Sequence, residues 1–246
     1  MSDLNANETI LPHFHGVTMF QLFVAGNGTL GSRGQVLEPL MVQFKDHHTA
    51  YGPITAGPQG LSFVALRMYT GNSEPVYLSK PGARERLQTS KRRNMTSAPL
   101  KFSVAPLMQA RTEAVWETIF EETDDGMAAN LVRLGAGMTA QGPDPKRAGG
   151  YYVFVGNGSL VHKGAELPLW SMVVVEPNEE RFELQAGAQG VVTTDVSIDD
   201  LAAFIGRVVD RRSGLTAPAR RAAACLSGER SPLSPREQEV LTLDRK

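Results

Sequence analysis

Cysteine is nearly missing from this chain of 246 residues, where Cys225 stands alone. An intramolecular disulfide and a thiolate cluster are thereby excluded, and such usage suits a reducing compartment. Long hydrophobic runs are lacking too. The opening stretch, Met1 to His15, has an early acidic residue and no apolar run of signal-peptide length, and no later stretch approaches a membrane span. The expectation is a cytoplasmic protein without a membrane partner, in which the sequons at Asn7, Asn27, Asn94 and Asn157 carry no glycan. An excess of either charge is also absent. The formal net charge of -1 gives no electrostatic reason to expect nucleic acid or an anionic membrane, so a small molecule is the default partner. Hydrophobic residues at 41% and charged residues at 21% exclude wholesale disorder and a collagen-like or coiled-coil composition.

What is present is an internal repeat. The segment Phe23-Val24-Ala25-Gly26-Asn27-Gly28-Thr29-Leu30 matches Val153-Phe154-Val155-Gly156-Asn157-Gly158-Ser159-Leu160, 130 residues on. Further along, Thr55-Ala56-Gly57-Pro58-Gln59-Gly60 matches Gln185-Ala186-Gly187-Ala188-Gln189-Gly190 at the same offset of 130. Between them Pro39-Leu40 meets Pro168-Leu169, one residue out of step. Three collinear matches indicate duplication.

Each copy reads as short strands rich in β-branched and aromatic residues, such as Met19 to Val24, Leu40 to Phe44, Tyr151 to Val155 and Ser171 to Val175. Asn27-Gly28 and Asn157-Gly158 are predicted to be tight reversals, and Val115 to Glu122 with Met127 to Leu134 a hairpin around Asp124-Asp125-Gly126. Many short strands between regular turns favour a sandwich or barrel. The first copy lacks the residues for an equivalent opening hairpin. The segment around Ala98 to Met108, or a partner subunit, is expected to cover the edge this leaves. Between the copies, Arg84, Arg86, Lys91, Arg92 and Arg93 are read as a solvated basic face rather than a phosphate or nucleic-acid patch.

From Ser197 the pattern turns helical, with Leu201, Phe204, Ile205, Val208 and Val209 at three- and four-residue spacing and a capping pair in Ser197 and Asp200. Near the end, Leu233 to Leu241 resembles the opening helix of a LuxR-type helix-turn-helix. No turn and recognition helix follow it before Lys246, so this tail is not expected to bind DNA.

Residues 12–67 and 113–196 resemble cupin barrels. In that family two histidines one residue apart are followed by an acidic residue and a glycine, with a third histidine in a second motif. Here His13-Phe14-His15 precedes Gln21 and Gly28, and Tyr51 stands near the place of the third histidine within Gln43 to Pro53. The acidic residue and that histidine are thus replaced. Residues i and i+2 of a strand share a face, so His13 and His15 both point into a barrel and offer imidazole nitrogens. Either they hold a metal, with Gln21 and Tyr51 as further ligands or pocket walls, or they line a metal-free polar pocket. His47 and His48 are further pocket candidates. Opposite His13, His15, Gln21 and Tyr51 the second copy has Pro143, Pro145, Tyr151 and Arg181, so that barrel is read as a scaffold or dimer surface packed with apolar and aromatic side chains.

The expected architecture is all-β: two jelly-roll, cupin-like barrels and a C-terminal helical segment. Its parts are an incomplete N-terminal barrel at 1–69, a linker at 70–112, a second barrel at 113–196 and a helical tail at 197–246. The resemblance implies a divalent transition metal (Fe, Mn, Zn or Ni), a small oxygen-bearing substrate, and dioxygenase, isomerase or lyase chemistry with no catalytic base identified. The alternative is a non-catalytic barrel that binds or senses a small molecule, as a monomer or homodimer.

Overall fold

A computed structural model of the chain describes residues 1–67, 74–103, 105–147 and 149–187. The chain divides into two compact units, Met1–Asp195 and Val196–Lys246, and every described residue belongs to the first. The helical segment expected from Ser197 and the Leu233 to Leu241 stretch lie outside the described residues. Those described are all-β, with antiparallel sheets and one short α-helix, Ala105–Gln109. None of their helices is long and apolar enough to cross a membrane.

The first copy forms a seven-stranded sheet built on two long partners, Met19–Leu30 and Ile54–Leu66. Strands of this length stay around one core only by bending. Register shifts between Phe23 and Ala25 and between Gly26 and Gly28 supply the bends. Asn27-Gly28 is therefore not the tight reversal predicted: it lies inside a strand, where the glycines serve close approach. A Cβ on Gly26, whose φ is +73°, would stand 2.2 Å from the Gly60 carbonyl oxygen. In the second copy the matching Asn157-Gly158 does fall between strands, with Gly158 at φ +70°.

Alternation along the long strands sorts their side chains. Met19, Phe23, Ile54, Leu61 and Phe63 pack into the core of the first copy with Leu4, Leu30, Leu37 and Tyr51. Burial of a side chain such as Phe23 or Ile54 contributes about 1.5–3 kcal/mol. The sheet edges are covered from within the chain. Ser2–Leu4 pairs with residues 61–63 of Ile54–Leu66, and Asn94–Thr96 pairs with Val42–Lys45. This second cover starts upstream of the Ala98 to Met108 segment expected there, because Met95 and its neighbours extend the sheet while Ala105–Gln109 turns helical.

The offset of 130 residues recurs in the backbone. Thr9 faces Thr55 in the first copy, and Thr139 faces Gln185 in the second. Leu40 and Trp170, also 130 apart, both adopt positive φ, +65° and +69°. Met41 donates its N–H to Glu38 as Ser171 does to Pro168. The second copy opens with the predicted hairpin, Val115–Phe120 against Ala129–Arg133.

Arg93 departs from the solvated face assigned to the basic run. Its guanidinium grips Asp46 through Nε and Nη2 at 3.0 and 2.8 Å, and Asp125 through Nη1 and Nη2 at 3.0 and 2.6 Å. It also lies over the Phe44 ring, 5.0 Å from its centre. One side chain thus ties the first sheet to the hairpin turn of the second copy. Its partners stand far away in sequence, so a count of local charge could not reveal them.

Candidate functional site

His13 lies on the short strand His13–Phe14, paired with Val76–Tyr77 on one side and bridged to Tyr51 on the other. His13 and Tyr51 exchange both backbone hydrogen bonds, at 3.0 and 2.9 Å, which fixes their side chains next to each other. The ring centres of His13 and Tyr51 are 4.4 Å apart, and those of His13 and His15 are 5.1 Å apart. Both imidazoles, Gln21 and Tyr51 are buried. The four residues singled out in the sequence therefore gather in one place.

His47 and His48 do not join them. The turn at 46–49 breaks the strand alternation, and His48 takes φ +54°. Its ring packs on Phe14, at 5.4 Å, while His47 faces a separate cavity.

The cluster also holds two cations that sequence reading passed over. Lys45 is 1% exposed, donates to Gln21 Oε1 at 3.0 Å, and has its Nζ 4.0 Å from the centre of the Tyr51 ring. Gln43 and Lys45 alternate with Val42 and Phe44 along one strand, and this polar alternation was the signal available in the sequence. Arg67 follows Leu61, Phe63 and Ala65 at two-residue steps beyond the end of Ile54–Leu66, and its Nε is buried without a hydrogen-bond partner.

Burial dominates the electrostatics here. It holds the Lys45 amine well below its ordinary value. It likewise lowers His13, against the Leu11 carbonyl and with added repulsion from Lys45 and Arg67. Because that carbonyl, 2.8 Å from Nδ1, can only accept, the His13 proton sits on Nδ1 and Nε2 is left as an acceptor. Burial also pushes the Tyr51 hydroxyl up, opposed by Arg67 and Gln21. Although Gln21 is near enough to act on Tyr51, no group among the described residues reaches that buried hydroxyl in hydrogen-bonding geometry.

This donor set does not fit a divalent metal. Among the described residues no three His, Cys, Asp or Glu side chains converge, and the cluster contains no carboxylate. The Gln21 oxygen that would be a ligand already accepts from Lys45.

A second space lies on the other side of the Met19–Leu30 strand. A cavity of about 1320 Å³ is walled by Phe20, Leu22 and Phe44 from the first copy and by Trp116, Tyr152 and Leu184 from the second. Pro143, Tyr151 and Arg181, which correspond to His13, Gln21 and Tyr51, also line it. The second copy has the packed apolar cluster expected of it, Leu134, Val175, Phe182, Leu184 and Ala186, and part of that cluster also borders this cavity. The charged groups that line it are tied up in ion pairs, Arg93 with Asp46 and Asp125, Arg147 with Glu122 and Arg181 with Asp144, whereas the first copy's cluster leaves polar atoms unpaired.

No family model and no curated protein matches the sequence. Several solved structures overlap with the fold. Quercetin 2,3-dioxygenase from Acinetobacter baumannii shares 12% identity, covering 87% of this chain and 79% of its own, at a TM-score of 0.40. The bacterial pirin YhhW from Escherichia coli, in complex with nickel(II), shares 11% identity over 75% of this chain and 74% of its own, at 0.42. Oxalate decarboxylase from Bacillus subtilis shares 13% identity over 94% and 77%, at 0.36.

Proposed function

We propose that this chain is a cupin-like protein of duplicated barrels that binds a small oxygen-bearing organic molecule, and that the site is the buried cluster of the first copy. The observation that carries this reading is the buried Tyr51 hydroxyl, unpaired beside two imidazoles and an amine. A buried polar group without a partner costs about 1–3 kcal/mol, and a ligand oxygen at this point recovers it. Binding or sensing is preferred to catalysis because the cluster lacks the carboxylate that would neutralise a divalent ion.

One observation favours the second reading, a metal-dependent dioxygenase, isomerase or lyase: two buried imidazoles stand with ring centres 5.1 Å apart. Metal analysis of untagged protein, together with a thermal-shift screen of small organic oxygen compounds with and without chelator, separates the two. The binding reading expects no stoichiometric metal and ligand stabilisation that ignores the chelator. Stoichiometric metal that is lost in His13→Ala would replace it with the enzyme reading.

A further inference from the structure

We infer that the molecule bound by the first copy is an organic carboxylate, which without a metal ion gives Arg67 a counter-ion and lets the buried Lys45 amine take up a proton. This inference rests on the small-molecule reading above and narrows it to a ligand class.

Charged side chains are almost never fully buried unless paired. Lys45 breaks that rule, since its one hydrogen bond goes to the neutral amide of Gln21. Arg67 breaks it in a milder form: its Nε is unpaired, and Nη2 meets only the Met19 sulfur, at 3.7 Å. Among the described residues neither cation has a carboxylate within ion-pair distance. The acid adjacent in sequence, Asp46, is held instead by Arg93.

Among the described residues, every other titratable group facing these two side chains is an imidazole or a phenol. From the His13–Phe14 strand and the residue after it come His13 and His15, and from the turn before Ile54–Leu66 comes Tyr51. The strand paired with His13 adds Tyr77, its ring 5.6 Å from that of His13. Lys45 and Arg67 both act on His13, and Arg67 also acts on Tyr51, so these groups share one electrostatic environment. Among the described residues, an amine, a guanidinium N–H and a phenol O–H thus share one neighbourhood that contains no carboxylate. A carboxylate answers all three: it takes charge-assisted hydrogen bonds from the cations and a further one from Tyr51. A neutral carbonyl compound would satisfy the hydroxyl but leave the Arg67 guanidinium without a counter-ion and the Lys45 amine without an anion beside which to take up a proton.

The test uses the full chain in chelator-treated buffer, with acetate and benzoate set against acetamide and benzamide as probes. The acids are expected to raise the melting temperature saturably, and the matching amides to do so at least tenfold more weakly by fitted Kd. In Lys45→Met and Arg67→Gln the acid affinity is expected to fall at least tenfold. The wild-type comparison of acid with amide stands even if a variant does not fold. Equal binding of acid and amide, or full acid affinity in a folded Lys45→Met, overturns the carboxylate and leaves the small-molecule reading in place. Failure of these acids while neutral oxygen compounds bind in the broader screen has the same meaning. Failure of every compound in that screen removes the underlying reading as well.

Discussion

The side-chain nitrogen of Lys45 lies 4.0 Å from the centre of the Tyr51 ring, inside the first sheet and out of reach of water. An aromatic face and one amide oxygen are its surroundings, and both are poor substitutes for a counter-ion. Lys45→Met removes the amine but strands the Gln21 oxygen that accepts from it. The double variant Gln21→Leu with Lys45→Met removes both halves, and is expected to exceed the single variant by about 1–3 kcal/mol in urea unfolding. Equal stabilities would mean that the 3.0 Å hydrogen bond contributes nothing.

Arg93 supports a prediction about pH. Hydrogen bonds from Arg93, then Thr123, hold the Asp125 carboxyl well below the usual carboxylate range. For Asp46 burial pushes upward, but the combined bonds from Arg93 win and its pKa is also lowered. A carboxylate lowered on folding contributes its full stability above its unfolded pKa, about 3.9, and loses it as pH falls further. Arg93→Ala leaves Asp46 buried and unpaired, at a cost of about 3 kcal/mol at neutral pH. Burial alone then raises Asp46 in the variant, so that protonation favours its folded state. Urea unfolding at about pH 7 and about pH 3.5 should therefore show the deficit of the variant narrowing in acid; an unchanged deficit would deny Asp46 this role.

The repeat was legible because matched glycines and prolines leave a trace in one dimension, and Leu40 and Trp170, 130 residues apart, both adopt positive φ. The shared face of His13 and His15 followed from strand alternation, and Tyr51 from its spacing within the second motif. Lys45 escaped notice because a lysine between phenylalanine and aspartate looks like any edge residue until the covering strand at 94–96 is known. Arg93 was hidden likewise by distance along the chain. Its partners stand 47 and 32 residues away, and pairing at such range is decided by topology rather than by local pattern. Asn27-Gly28 misled for a different reason: the same dipeptide serves a hairpin turn and a bulge, and only the length of the strand distinguishes them.

That bulge is open to test. Both Gly26 and Gly34 adopt positive φ, +73° and +64°, but a Cβ would strike the Gly60 carbonyl at 2.2 Å in the first case and meet nothing within 4 Å in the second. Gly34→Ala should cost about 1 kcal/mol, the backbone penalty alone. Gly26→Ala adds a collision between two backbones that cannot part without breaking the sheet. It is expected to cost at least about 3 kcal/mol, or to prevent folding, as read from denaturation midpoints. Comparable effects at the two sites would mean that the long strands do not approach here as described.

Tyr51 joins stability to function. Its buried hydroxyl has no partner among the described residues, while its ring packs between His13 and Lys45. Tyr51→Phe keeps the ring and deletes the orphaned group, so the free protein should gain about 1 kcal/mol, and any ligand that uses the hydroxyl should bind several-fold more weakly. Burial raises the pKa of this hydroxyl, so it stays protonated in the folded chain while the unfolded chain ionises near its ordinary value of about 10. Wild-type stability accordingly loses ground above about pH 10. The advantage of Tyr51→Phe should be flat from about pH 6 to pH 9 and widen beyond. A variant less stable than wild type across this range would show that the hydroxyl has a partner in solution, and would take away the vacancy on which the ligand site depends.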